Sequence, residues 1–157
     1  MTMQKNMNPR SVLVTGIAGF IGSSFGKEFR RRYPETELVG IDNFSSGRRE
    51  ELPEGITFYE GSICDEALVD SIFKKHTPEY VFHFAAVPRV SYSVEHPAET
   101  TYVNVYGTAL LVEKARDAKV KRFIYSSSSS VYGDKATLPT KEDENPHIFP
   151  IPFQSSQ

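Results

Sequence analysis

Apolar residues recur along this chain in two alternating rhythms. Residues 11–15, Ser-Val-Leu-Val-Thr, form a β-branched run closed by Gly16, the mark of a buried strand. The period then lengthens. Ile21, Phe25 and Phe29 fall at i, i+4 and i+8, with Lys27, Glu28, Arg30, Arg31 and Arg32 on other faces. This spacing predicts an amphipathic helix that ends before Pro34. Further strands are predicted over 37–42, 56–60, 80–84 and 122–126. Helical patterns separate most of them. One starts at Asp65 with Leu68, Val69, Ile72 and Phe73 on its apolar face; another starts near Ala98 with Val105, Ala109, Val112 and Ala115 on its own. Strands alternating with helices imply parallel βαβ units with right-handed crossovers. The expected class is α/β, a doubly wound parallel sheet with strand order 3-2-1-4-5. After Gly133 the periodicity stops, and residues 134–157 carry Pro139, Pro146, Pro150 and Pro152. The expected organisation is a disordered arm over 1–10, a Rossmann-type domain over 11–133 and an irregular Pro-rich tail over 134–157.

Length and composition narrow the function classes. A chain of 157 residues is one domain's worth, and 39% hydrophobic with 24% charged residues places it among globular proteins. Lys and Arg number 18 against 20 Asp and Glu, a formal charge of −2. The basic residues are scattered apart from Arg30 to Arg32 and the pair Arg48, Arg49, so no nucleic-acid face is expected. A small-molecule partner fits better. The single cysteine, Cys64, excludes an intramolecular disulfide and a Cys-based zinc cage, so no metal site is expected and the cytoplasm is the expected compartment. No apolar run approaches the ~20 residues that span a bilayer, so no membrane partner is expected.

Candidate chemistry begins at Gly16, Gly19 and Gly22, spaced G-x-x-G-x-x-G directly after a predicted strand and opening a predicted helix. A pyrophosphate needs a tight turn, a backbone approach without a Cβ and close helix-to-strand packing, with a helix N-terminus supplying amides and a favourable dipole. These glycines stand where each requirement falls. Asp42 ends the second predicted strand twenty residues after Gly22, where a carboxylate accepts hydrogen bonds from the adenosine ribose and repels a 2′-phosphate. The expected cofactor is therefore NAD rather than NADP. Asp42 and Asn43 are also common turn formers, which is the plainer reading of the same residues. His83, inside an apolar strand, reads as a buried ring with satisfied nitrogens, and Cys64 as a small packing residue.

Five motifs in order carry a family resemblance: residues 14–22, VTGIAGFIG; 42–47, DNFSSG; 82–86, FHFAA; 104–108, NVYGT; and 125–133, YSSSSSVYG. Together they resemble the nucleotide-sugar epimerase/dehydratase branch of the extended short-chain dehydrogenases, with UDP-glucose and UDP-N-acetylglucosamine 4-epimerases the most similar members. The likeness runs from about residue 11 to about residue 150. It implies that Phe20 and Ile21 place backbone amides on the pyrophosphate, that Asp42 and Asn43 hold the ribose, and that Ser46 and Gly47 flank the adenosine. Members of the family carry an Asp-Ile pair on the adenine; Ser62-Ile63 stands here, so Ile63 keeps its contact and the aspartate is missing. By the same resemblance Phe84, Ala85 and Ala86 line the nicotinamide side, Asn104 braces the active-site backbone, and Ser126 belongs to the cofactor site. Ser128 matches the catalytic serine, whose hydroxyl meets the sugar oxygen that loses its proton during hydride transfer. Because strand residues precede it and Val131 and Tyr132 follow, the serine run over 126–130 reads as site rather than linker. Arg89 and Ser91 are candidate sugar contacts with Ser128.

The family's base is a Tyr four residues before a Lys, the Lys lowering the phenol pKa. None of the eight tyrosines here has Lys at that position. The expectation is therefore an NAD-binding portion of a nucleotide-sugar 4-epimerase, truncated before the last strands and the substrate domain and inactive alone. A dehydratase or decarboxylase of the same family is an alternative, as is a non-catalytic NAD-binding module. The family dimerises through two helices per subunit; this chain is expected to be monomeric or to aggregate through an uncovered apolar face.

Overall fold

Strands β1 (Ser11–Thr15), β2 (Glu37–Asp42), β3 (Thr57–Glu60), β4 (Tyr80–His83) and β5 (Arg122–Tyr125) pair in parallel in the order β3-β2-β1-β4-β5. This is the order expected from the sequence. The computed structural model describes residues 9–132 and 139–141. The expected arm over 1–8 and the tail over 134–138 and 142–157 lie outside the described residues. The chain groups into two compact units, 1–125 and 126–157.

Register explains why β1 is buried along its whole length. Val14 pairs with Gly40 on one side and Phe82 on the other, so the strand has neighbours on both edges and helices on both faces. Alternate side chains enter different layers. Val12 and Val14 join Ile17, Leu38 and Phe29 beneath the first helix, α1 (Phe20–Arg32); Phe25, Phe82 and Phe84 extend that layer. Leu13, with Val39, Ile41 and Val81, faces helix α2 (Glu66–His76) and helix α5 (Thr108–Asp117) through Val69, Ile72, Leu111 and Ala115. Just before β1, Thr36 Oγ1 donates to Pro9 O at 2.8 Å, and Arg10 Nε pairs with Glu79 at 3.1 Å.

Two helices differ from expectation in the face they bury. In α1, Phe29 is buried and Phe25 half-buried, but Ile21 is 57% exposed. The inward positions near the start are Gly22, Ser23 and Gly26; at both glycines the helix lies against the turn after β1, and at Gly26 against Pro53 as well. A Cβ on Gly26 would come within 2.8 Å of Ile17 and 2.6 Å of Pro53. The predicted helix from 98 is three pieces on one path: α4 (Pro97–Thr101), a π turn (Tyr102–Gly107) and α5. Of its predicted apolar stripe, Val105, Ala109 and Val112 point outward and Ala115 alone is buried as expected. Val105 is 62% and Val112 47% exposed, whereas Leu110, Leu111 and Ala115 meet the core. This helix carries two apolar faces; the sheet takes the leucines, and Gly107 lets the backbone approach Ile63 and Cys64. A short helix, α3 (Val90–Glu95), precedes α4 and had no signal in the sequence pattern.

Helix α2 follows expectation, including its start. Asp65 Oδ1 accepts from Leu68 N–H at 3.0 Å, a side-chain N-cap. Asp65→Ala leaves that amide without its partner and is expected to cost ~1 kcal/mol, a fall of about 2–4 °C in the thermal midpoint for a chain of this size. Circular dichroism on the two proteins checks it.

Candidate functional site

A cleft opens at the carboxyl ends of β1, β2, β3 and β4, built within the first unit. Its lining includes Gly16, Gly19, Asp42, Asn43, Ser46, Ile63, Phe84, Ala85 and Ala86, all predicted from sequence. The turn after β1 sets its floor. Gly16 has φ +68°, and a Cβ there would sit 2.7 Å from Ala85 N; a Cβ on Gly22 would sit 2.1 Å from Gly16 O. Only glycine permits either approach. Gly19 differs: its missing Cβ would meet nothing but Gly16 O, at 3.3 Å, and otherwise faces open space.

Gly19 is the N-cap of α1, and it offers no side-chain cap; nor does any acid stand in the first turn. The first amides of a helix have no intrahelical acceptor, so this end presents N–H groups and the positive pole of the dipole together. The side chains of Phe20 and Ile21 point to solvent, at 89% and 57% exposure, and leave the backbone accessible. An anion of pyrophosphate type fits this cradle.

Asp42 fills the turn role weighed for it and also lines the cleft. Its Oδ1 accepts from Phe44 N–H at 2.8 Å, an Asx turn, and its Oδ2 accepts from Ala18 N–H at 2.9 Å, so the carboxylate staples the glycine turn to β2 while still lining the cleft. Each oxygen keeps a lone pair for a ribose hydroxyl. Asn43 Oδ1 accepts from Ser45 N–H at 3.1 Å. Gly47 packs rather than lines: a Cβ there would meet Ala18 at 2.7 Å, and the next amide, Arg48 N–H, donates to Ala18 O at 3.1 Å. Arg49 lies over the Phe44 ring at 4.7 Å and pairs with Glu60, so its charge is already answered.

On the other side of the glycine turn, Asn104 clamps the loop after β4. Its Oδ1 accepts from Val87 N–H at 2.8 Å and its Nδ2 donates to Val87 O at 3.0 Å. His83 beneath is 1% exposed, with Nδ1 2.6 Å from Thr15 Oγ1 and Nε2 2.9 Å from Thr108 Oγ1, the satisfied ring that the sequence suggested. Burial pushes its imidazole down to about 4 from the ordinary 6.5. Cys64 is buried too, and that burial raises its thiol, as suits a packing residue. Arg89 caps α3 and Ser91 is exposed; neither is among the residues lining the cleft. Ser126 and Ser128 belong to the second unit, ahead of a 3-10 turn (Ser129–Tyr132).

Several participants had no nomination from sequence, among them Glu99, Ala18, Thr15 and Thr108. Glu99 lines the cleft and accepts from Tyr92 Oη–H at 2.8 Å. Ala18 is the partner of Asp42, and Thr15 and Thr108 are the partners of His83. A usable signal existed for Thr108, which follows Asn104 by one helical turn. Among the described residues no group of three His, Cys, Asp or Glu is placed to hold a metal, and no helix is long and apolar enough to cross a membrane.

The model of the NAD dependent epimerase/dehydratase family matches residues 12–151. The chain belongs to that family. Among curated relatives of this epimerase/dehydratase chain, the UDP-glucose 4-epimerase of Klebsiella pneumoniae is 41% identical over 138 residues, 83% of this chain and 98% of that protein. The UDP-glucose 4-epimerase of Erwinia amylovora is 38% identical over 139 residues, covering 84% of this chain but 41% of the relative. The human dTDP-D-glucose 4,6-dehydratase is 37% identical over 155 residues, 94% of this chain and 44% of the relative. The chain thus spans less than half the length of the latter two relatives. Among solved structures, Thermotoga maritima UDP-glucose 4-epimerase with UDP-glucose superposes with a TM-score of 0.81 at 42% identity, over 88% of this chain and 45% of that one. The Brucella ovis UDP-glucose 4-epimerase in complex with NAD gives 0.79 at 37% identity, over 89% and 42%.

The depressed imidazole of His83 has a pH consequence with a definite sign. Between pH 6.5 and about 4 the unfolded chain binds a proton that the folded chain refuses, so this contribution is complete above 6.5 and is lost as pH falls toward 4. Stability is expected to drop by up to ~1.4 kcal/mol per pH unit across that window. Urea unfolding from pH 7 to pH 4.5 measures the slope, and His83→Gln is expected to flatten it.

Proposed function

We propose that this chain is the NAD-binding portion of a nucleotide-sugar 4-epimerase acting on UDP-hexoses. The observation that supports it best is the uncapped start of α1 beside Asp42: amides and dipole for a pyrophosphate, and a carboxylate for an unphosphorylated ribose, in one cleft. Phe20 and Ile21 amides would hold the pyrophosphate, Asp42 and Asn43 the ribose, and Ser46 and Ile63 the adenosine end. Phe84, Ala85 and Ala86 would shape the nicotinamide end. The chemistry the dinucleotide supplies is reversible hydride exchange at C4 of the sugar. By the family resemblance Ser128 would hold the sugar oxygen whose proton leaves and Ser126 would contact the cofactor; Arg89 and Ser91 are candidate sugar contacts. A base is still required, and these 157 residues contain no Tyr-x-x-x-Lys. Binding without turnover is the expected behaviour of this chain. The comparable identity to a dehydratase supports a second outcome for the same hydride chemistry, dehydration of the sugar, with the same cofactor residues.

Thermal unfolding followed by far-ultraviolet circular dichroism tests the reading. At ~100-fold excess over Kd, NAD is expected to raise the midpoint by about 5–10 °C, and NADP to raise it far less. Gly19→Val projects into the open side of the turn and should abolish the shift while leaving the unliganded midpoint close to that of the parent. Asp42→Ala should lose the shift and also lower the unliganded midpoint, since the Ala18 and Phe44 amides lose their acceptor. A cooperative transition indifferent to NAD overturns the proposal.

The same reading implies association between copies through the outer stripe of Tyr102, Val105, Tyr106 and Val112, all exposed. Sedimentation velocity should show association that grows with concentration, and Val105→Glu with Val112→Glu should return the chain to monomer. A monomer at all concentrations counts against it.

A further inference from the structure

Four hydrogen bonds join the two sides of the cleft floor through His83. Ala85 N–H donates to Thr15 Oγ1 at 3.2 Å; Thr15 Oγ1 lies 2.6 Å from His83 Nδ1; His83 Nε2 lies 2.9 Å from Thr108 Oγ1; and Thr108 Oγ1 donates to Asn104 O at 2.8 Å. Proton counting fixes the direction of every bond. Thr108 has one hydroxyl proton, and it goes to the Asn104 carbonyl, so the threonine can only accept from the ring. The imidazole proton therefore sits on Nε2. Nδ1 of the neutral ring is then an acceptor, and the Thr15 hydroxyl donates to it while accepting from Ala85. All the bonds run one way, from the loop after β4 to the π turn.

The two ends of this chain of bonds are cleft elements. Ala85 lines the cleft and packs against Gly16, while Asn104, by its side chain, clamps Val87 two residues further along the same loop. Residues 85 and 87 are thus held from opposite sides, one through Thr15 and the other through Asn104, and His83 joins the two holds. π turns concentrate at functional positions, and this one puts the Asn104 amide on Val87 while its carbonyl takes Thr108.

We propose that His83, locked as the Nε2–H tautomer between Thr15 and Thr108, is a positioning residue that sets the loop after β4 for the nicotinamide half of the cofactor. This rests on the NAD reading given above. With sheet order β3-β2-β1-β4-β5, Asp42 and the loop after β4 flank the glycine turn on opposite sides, so a dinucleotide with its adenosine on Asp42 extends its other half across Ala85. His83 touches no ligand itself; it acts through Ala85 and Asn104.

Two measurements decide the matter. On the 157-residue chain labelled with 15N-histidine, long-range 1H–15N correlation spectra are expected to show His83 as the Nε2–H tautomer, assigned by the signal that vanishes in His83→Gln. An Nδ1–H ring, or averaging between tautomers, overturns the lock. Thr108→Val removes the acceptor while keeping the shape, and Thr108→Ser keeps both. The Val variant is expected to bind NAD ~10-fold more weakly by calorimetry while binding ADP as the parent does, and the Ser variant to restore NAD affinity. A role in stability alone would lower both ligands together, and that result, or no loss at all, overturns the proposal. Should the parent chain bind neither ligand, the NAD reading fails with it; a parent that binds NAD beside a Val variant that binds it equally well sinks only the role of His83.

Discussion

Close passage of three backbone segments governs this structure. The turn at Gly16 runs against Ala85 after β4 and against the first turn of α1 at Gly22, at distances that would put a Cβ within 2.1 to 2.7 Å of main-chain atoms. No side chain can adjust to that, because the obstruction is backbone on both sides. The strand, the helix and the neighbouring loop therefore fix one another. Their meeting point is where α1 presents its amides, so the anion-binding end of the helix is as well positioned as the core beneath it.

Asp42 extends the same constraint to β2. A carboxylate that accepted only from a ligand would be free to rotate; this one is held by two of the protein's own amides at 2.8 and 2.9 Å. Its orientation is set before any hydroxyl arrives, which lowers the ordering that binding requires. The positive pole of α1 and the negative carboxylate stand at neighbouring positions, so the corner is electropositive at one place and electronegative at the next. Arg49 at that corner is already engaged by Glu60 and by the Phe44 ring, whereas the neighbouring Arg48 is exposed and is tied to Ala18 through its backbone amide.

Much of this was legible in the sequence because backbone geometry restricts residue choice. The strand order followed from the alternation of periods, and the glycine turn from spacing that few other structures require. What periodicity could not give was the orientation of helices with more than one apolar face. The helix over 97–117 has Val105 and Val112 on one side and Leu110 and Leu111 on another, and only contact with the sheet chooses between them. Ile21 in α1 failed as a core residue for a related reason: the inward positions went to glycine and serine, which carry no hydropathy signal. The bonds around His83 were hidden because Thr15 and Thr108 are 93 positions apart in the chain, and threonine is unremarkable at either place. Asn104 could be nominated by motif, but its two bonds to Val87 needed coordinates.

The π turn also limits how this stretch can evolve. Tyr102–Gly107 holds a wider turn than the α-helical segments on either side, equivalent to one residue inserted into a regular helix. Deleting a residue there would restore an uninterrupted α-helix and remove the wide turn in which Asn104 holds Val87 by its side chain and Thr108 by its carbonyl. Substitutions between Thr101 and Thr108 can change chemistry one position at a time, whereas loss of a residue removes the wide turn itself. Insertions and deletions in descendants of this sequence should therefore collect in the loops at 43–48 and 52–56 and spare this turn.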